Sequence, residues 1–132
     1  MPQATDIVIK NGATTPVDKT FTLVSPAAGD GGVALWYLKE GSVSAAFVAV
    51  TASAHKTGNA SRKLNLRLSY PSSYTDVSTG KTVLGPRALV NFTVSIPDDF
   101  PESAKSDLSA FAANLINHPL VKAAARDAYS FT

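Results

Sequence analysis

The sequence predicts an α+β fold: an N-terminal β-hairpin, an antiparallel β-sheet, then two C-terminal α-helices on one face. Two observations carry this expectation. Six stretches that are β-branched or alternate in polarity precede Pro97. After Pro97 the apolar residues recur at helical spacing instead of every second position. Strands first and helices last imply helices segregated to one side of an antiparallel sheet.

The elements follow in order. Ile7-Val8-Ile9 is a short β-branched run, and Asn11-Gly12 after it readily supplies positive φ in a turn. Phe21–Val24 alternates weakly and stops at Pro26, which completes the hairpin. The stretch from Ala27 to Gly32 is a loop. A phosphate-cradling loop would need a Lys and a Ser or Thr opening a helix, but Val33-Ala34-Leu35-Trp36 follows and reads as a strand. Val33–Lys39 is the third strand, with a turn at Glu40-Gly41-Ser42, and Ala45–Ala54 is the fourth. Residues His55 to Ser61 form a long hairpin loop to the fifth.

Lys63–Tyr70 alternates polar and apolar at every position and is closed by Pro71. Successive strand side chains point to opposite faces. Leu64, Leu66, Leu68 and Tyr70 then face a core, and Lys63, Asn65, Arg67 and Ser69 share the other side. Ser72–Pro86 reads as a long polar loop, and loops of that length in compact domains are usually functional or mobile. Ala88–Ile96 is the sixth strand, ended by Pro97.

Asp99-x-x-Glu102 fits the start of a capped helix. Ala104, Leu108, Phe111, Ala112, Leu115 and Ile116 form its apolar stripe. Pro119 either stops this helix or opens the next, whose stripe is Leu120, Val121, Ala124, Ala125, Ala128 and Tyr129. So short a helix is marginal in water unless it packs on something. Two short helices cover little of a six-stranded sheet, so a symmetric dimer is expected; a monomer with an exposed apolar patch is the alternative.

Composition narrows the function. The chain has 132 residues, 45% of them hydrophobic, which fits one domain spanning 1–132. The net charge of +2 does not by itself announce nucleic-acid binding, so charge placement decides. The absence of cysteine excludes disulfides and zinc–thiolate sites. The first residues show no secretory signal pattern and no apolar run is long enough for a bilayer span, so a soluble protein without membrane contacts is expected. The two histidines, His55 and His118, have no metal-ligand spacing, and no serine sits in a Gly-x-Ser-x-Gly turn. Asp98, Asp99 and Glu102 are better read as helix capping than as acid–base chemistry. Neither a cofactor, a metal nor a small-molecule substrate is expected, and an enzyme is disfavoured.

What remains is a face. The fourth strand offers Ala49, Thr51 and Ser53, the fifth Lys63, Asn65 and Arg67, and the sixth Leu89, Asn91, Thr93 and Ser95. It carries hydroxyls, carboxamides and cations, and no acid. Cations suit phosphates, while amides and hydroxyls suit base edges. Single-stranded or looped RNA is the ligand such a surface fits. No aromatic residue is expected on this face for bases to stack on.

Several local matches in order carry a resemblance: Val33-Ala34-x-Trp36; Arg62-Lys63 with the alternating strand up to Pro71; Asn91 then Thr93-x-Ser95-Ile96-Pro97; and Leu115-x-x-x-Pro119-Leu120. Together they resemble the coat (capsid) proteins of single-stranded RNA bacteriophages, the levivirus type, over nearly the whole chain. The resemblance implies an interlocked homodimer with a continuous ten-stranded sheet, assembling into an icosahedral T=3 shell around the RNA genome. It implies binding of a viral RNA hairpin that represses translation and marks the genome for packaging. It places the protein in the virion, and in the host bacterial cytoplasm during assembly. The family's RNA-contacting positions fall on Val33, Ala49, Thr51, Ser53, Lys63, Asn65, Arg67, Leu89, Asn91 and Thr93. Leu89 stands where some members place a stacking tyrosine, and Ala49 where some place a hydroxyl that bonds a pocketed adenine. A cellular RNA-binding module that dimerises without assembling is the alternative function.

Overall fold

The computed structural model describes residues 2–41, 43–58 and 60–131. Six strands precede two helices: β1 Ile7–Lys10, β2 Asp18–Ser25, β3 Val33–Leu38, β4 Val48–Thr57, β5 Ser61–Thr75, β6 Thr82–Pro97, α1 Glu102–Asn117 and α2 Pro119–Asp127. The chain resolves into two compact units, Met1–Ile96 and Pro97–Thr132.

In the first unit the six strands lie in sequence order, β1 to β6, and the registered pairs from β1 to β5 are all antiparallel. β2 divides its pairing. Asp18–Phe21 pair with β1, while Thr22–Ser25 pair with β3, with a register shift between Leu23 and Ser25. The Asp6 carboxylate accepts the Leu23 N–H at 2.8 Å, beside this shift. Asn11 closes the hairpin by accepting the Ala13 and Val17 N–H groups on Oδ1. The positive φ expected at Gly12 is absent, because that side chain does the turning work instead.

The core is one-sided. Phe21, Ala34, Trp36 and Val48 are buried, with Ile7, Leu23, Leu38, Val50, Ala52 and Leu68 packed around them. The Trp36 indole N–H donates to Thr5 O at 2.7 Å, which ties the N-terminal segment to this cluster. The Ala27–Gly32 loop is anchored by Gly31 N–H to Ala54 O at 2.8 Å and by an Arg62–Asp30 ion pair. Gly32 has no room for a side chain: a Cβ would lie 2.8 Å from Ala28 N and 3.1 Å from Gly29 O. Both are backbone atoms that cannot swing aside. Gly32→Ala is therefore expected to cost about 1–3 kcal/mol, read as a lower denaturant midpoint with an unchanged slope.

Four expectations are corrected. The long loop expected from His55 to Ser61 is a tight turn, because β4 runs to Thr57 and Thr57 pairs with Ser61; Asn59 lies outside the described residues. The strand expected to close at Pro71 continues to Thr75. β4 pairs with β5 only as far as Ser69, so Pro71 lies where no β4 partner needs its missing N–H. The Ser72–Pro86 loop is correspondingly mostly strand. Its turn is Asp76–Lys81, closed by Asp76 N–H to Lys81 O at 2.8 Å, with Gly80 at φ 68°. β4 itself starts at Val48, after a single 3₁₀ turn at Ser44–Ala46.

In the second unit α1 begins at Glu102, not at Asp99. Pro101 is its N-cap, extended at ψ 132°, and no side chain caps it. A residue before proline is pushed out of the helical region, which holds Phe100 outside the helix. Pro119 opens α2. His118 serves both helices: its N–H donates to Leu115 O at 3.2 Å, and its Nδ1 accepts the Leu120 N–H at 3.1 Å. Ala128, in the left-handed region at φ 57°, ends α2. Phe111, Leu115, Ile116 and Leu120 are exposed.

Candidate nucleic-acid interface

Strand register assembles the candidate residues into rows. Val33 pairs with Ser53 and Ser53 with Asn65; Leu35 pairs with Thr51 and Thr51 with Arg67; Tyr37 pairs with Ala49 and Ala49 with Ser69; His55 pairs with Lys63. Directly opposed residues share a face. Two side-chain bonds connect β5 to β6. Thr93 Oγ1 donates to Asn65 Oδ1 at 3.1 Å, and Ser72 Oγ donates to Pro86 O at 2.6 Å. The first bond joins two side chains on one face, so an antiparallel register with Thr93 opposite Asn65 holds around it. That register places Asn91 opposite Arg67, Leu89 opposite Ser69, and Ser95 opposite Lys63.

All ten candidate positions therefore lie on one face of β3 to β6. With strands about 4.8 Å apart, the four span roughly 15 Å. Lys63, Arg67, Leu89, Asn91 and Thr93 are exposed, as is Val33, while Ala49, Thr51, Ser53 and Asn65 are half-buried. Lys63 and Arg67 have no ion-pair partner among the described residues, whereas Arg62, one position away and on the opposite face, is paired with Asp30. The two free cations are four residues apart on β5, about 13 Å. Asn65 accepts from Thr93, so its carboxamide is oriented with the Nδ2 donors left for a ligand. No carboxylate occupies any position of these rows.

The opposite face carries Ala34, Trp36, Val48, Val50 and Leu68 of the core. It is also incompletely covered: Leu64, Tyr70, Leu84 and Val90 remain exposed.

Leu35, Tyr37 and His55 also lie on the candidate face, although none was among the expected residues; His55 does so because β4 runs on through the stretch expected to be a loop. His55 is half-buried beside Lys63. Tyr37 pairs with Ala49, which corrects the expectation that this face has no aromatic side chain. Its ring packs on Phe47 with centroids 6.1 Å apart and planes tilted by 58°. The signal was present in the sequence, since Tyr37 is an even number of residues from Val33 on the same strand.

The chain superposes on the virus-like particle of bacteriophage NT-214 with TM-score 0.83 and 22% identity, covering 98% of this chain and 100% of that one. For the virus-like particle of Beihai levi-like virus 21 the values are 0.82 and 17%, with 99% of each chain covered. For the bacteriophage GA protein capsid they are 0.73 and 25%, with 96% of each covered. No curated protein matches the chain in sequence. The family model described as Levivirus coat protein matches residues 2–130, and the chain belongs to that family. It is a structural capsid protein of a virus particle, not an enzyme.

Proposed function

We propose that residues 1–132 act as one coat-protein domain that dimerises, builds an icosahedral T=3 shell around a single-stranded RNA genome, and binds a viral RNA hairpin. The dimer joins two sheets into one of ten strands, and the bound hairpin serves as translational repressor and packaging signal. Val33, Ala49, Thr51, Ser53, Lys63, Asn65, Arg67, Leu89, Asn91 and Thr93 line the RNA surface. The observation that carries this reading is the acid-free face with two unpaired cations. Assembly takes place in the host bacterial cytoplasm.

Each residue type has a physical role. Lys63 and Arg67 neutralise phosphates and release counterions, which gives salt-dependent affinity. Asn65, Asn91, Thr51 and Thr93 present donors and acceptors to base edges exposed in a loop. The open apolar face and the exposed apolar residues of α1 and α2 supply surface for the second copy.

Expression in bacteria should yield virus-sized particles that protect RNA from nuclease; free dimers under every assembly condition would refute the shell. Arg67→Ala is expected to weaken binding across many RNA sequences and to reduce the salt slope by about one. Asn91→Ala should instead change the ranking of hairpins in a competition assay. A uniform loss there would assign Asn91 to backbone contacts.

A further inference from the structure

The turn between β1 and β2 holds a reactive pair that neither the shell nor the RNA surface uses. Asn11 and Gly12 open it, Asn11 half-buried and Gly12 exposed. Asn11 Oδ1 accepts the Ala13 N–H at 3.2 Å and the Val17 N–H at 3.0 Å. Two donors on one carbonyl oxygen draw electron density from Cγ. They also stand ready to hold that oxygen as it gains negative charge, as an oxyanion hole does. The next group along the chain is the Gly12 amide nitrogen, which donates to nothing among the described residues. No atom beyond its chain neighbours lies within 4 Å of where a Gly12 Cβ would stand. No side chain therefore obstructs its approach to Cγ. The other described asparagines lack this arrangement. Asn65 and Asn91 lie within β5 and β6, and Asn114 and Asn117 within α1. Each is followed by a large side chain: Leu66, Phe92, Leu115 or His118.

We propose that Asn11 is a self-modification site, converted to aspartate and isoaspartate through a succinimide closed by the Gly12 nitrogen. The Gly12 N–H gives its proton to hydroxide or water. The N–Cγ bond forms, the Cγ–Nδ2 bond breaks, and Nδ2 leaves as ammonia. Water then opens the ring. Cleavage at Cγ gives aspartate, and cleavage at the main-chain carbonyl carbon gives isoaspartate. In sum, an amide and water become a carboxylate and ammonium. The products differ in consequence. Aspartate keeps both Oδ1 contacts and strengthens them with its charge. Isoaspartate routes the main chain through Cβ and Cγ, one carbon longer, which disturbs the Asn11 N–H to Val17 O bond of 2.9 Å that closes the hairpin. Either product places a new carboxylate beside Lys10, which already pairs with Asp18 at 3.3 Å.

The test ages the full chain at neutral and at mildly alkaline pH and follows the tryptic peptide Asn11–Lys19 by mass spectrometry. This peptide should gain the amide-to-acid mass change with time, faster at the higher pH. Peptides carrying Asn65, Asn91, Asn114 and Asn117 should stay unchanged. Isoaspartyl methyltransferase should label the aged Asn11 peptide, and isoelectric focusing should show a more acidic species. Gly12→Ala should lose the labelling while keeping the fold, because the added methyl meets nothing and Gly12 is not in the left-handed region. Val17→Pro removes one donor from Oδ1. It should slow the conversion roughly tenfold, less than in a dry enzyme site because this turn is open to water. An Asn11 peptide that stays an amide, equal conversion at the other asparagines, or labelling retained in Gly12→Ala would overturn the proposal. An unchanged rate in Val17→Pro would do the same, by removing the turn's part in the chemistry.

Discussion

Trp36→Ala is expected to cost about 3–5 kcal/mol, a large part of the total stability of a domain of this size. Trp36 is 8% exposed and shares a small core with Phe21, Ala34 and Val48. So few residues are fully buried that no neighbour is positioned to collapse into the cavity an indole leaves. The indole N–H also holds Thr5 O, so alanine frees the N-terminal segment as well as emptying the core. Trp36→Phe separates these effects. It keeps most of the apolar volume and loses the hydrogen bond, for an expected cost of about 1–3 kcal/mol. Urea unfolding of the two variants should rank them clearly; equal costs would mean that the bond to Thr5, not the packing, dominates.

The second large effect concerns assembly. Leu115→Glu, alone or with Phe111→Asp, should abolish particles while leaving a folded chain. Phe111 is 71% and Leu115 63% exposed, and they lie four residues apart on one side of α1. Burying one such side chain in an interface is worth about 1.5–3 kcal/mol, whereas burying an unpaired carboxylate is strongly unfavourable. The sign of each contribution therefore reverses at every copy of the contact. Sedimentation and electron microscopy should show a smaller, soluble species with the circular dichroism of the parent. Intact particles from Leu115→Glu would show that this side of α1 stays exposed in the shell. Asp107→Asn, on the same helix, serves as the control and should still assemble.

The element order was legible because it rests on period. Alternation along Lys63–Tyr70 and helical spacing from Ala104 to Ile116 are consequences of which side is buried, and the structure carries both elements. Element ends were less legible, since prolines had to be weighed by context. Pro71 does not close β5, because no β4 partner lies opposite it. Pro101 does delay α1, and its effect on Phe100 outweighs the capping pattern at Asp99. The candidate face was legible on β4 to β6, where parity alone groups the residues. Tyr37 is hard to assign to this face from sequence, because its strand is rich in apolar residues on both sides. That the Ser69 hydroxyl is covered and has no hydrogen-bond partner could not be read from sequence, since it depends on what covers it.

The two faces of β5 have a consequence for how the gene can change in length. Core and candidate RNA surface alternate along one backbone, so inserting one codon between Ser61 and Ser69 would send Lys63, Asn65 and Arg67 toward the apolar side and the leucines outward. Two codons restore the alternation but shift every row against β4. The Asp76–Lys81 turn has no such constraint, since Val77 is fully exposed there and neither face continues through it. Length variation among related chains should therefore collect at this turn and avoid Ser61–Ser69.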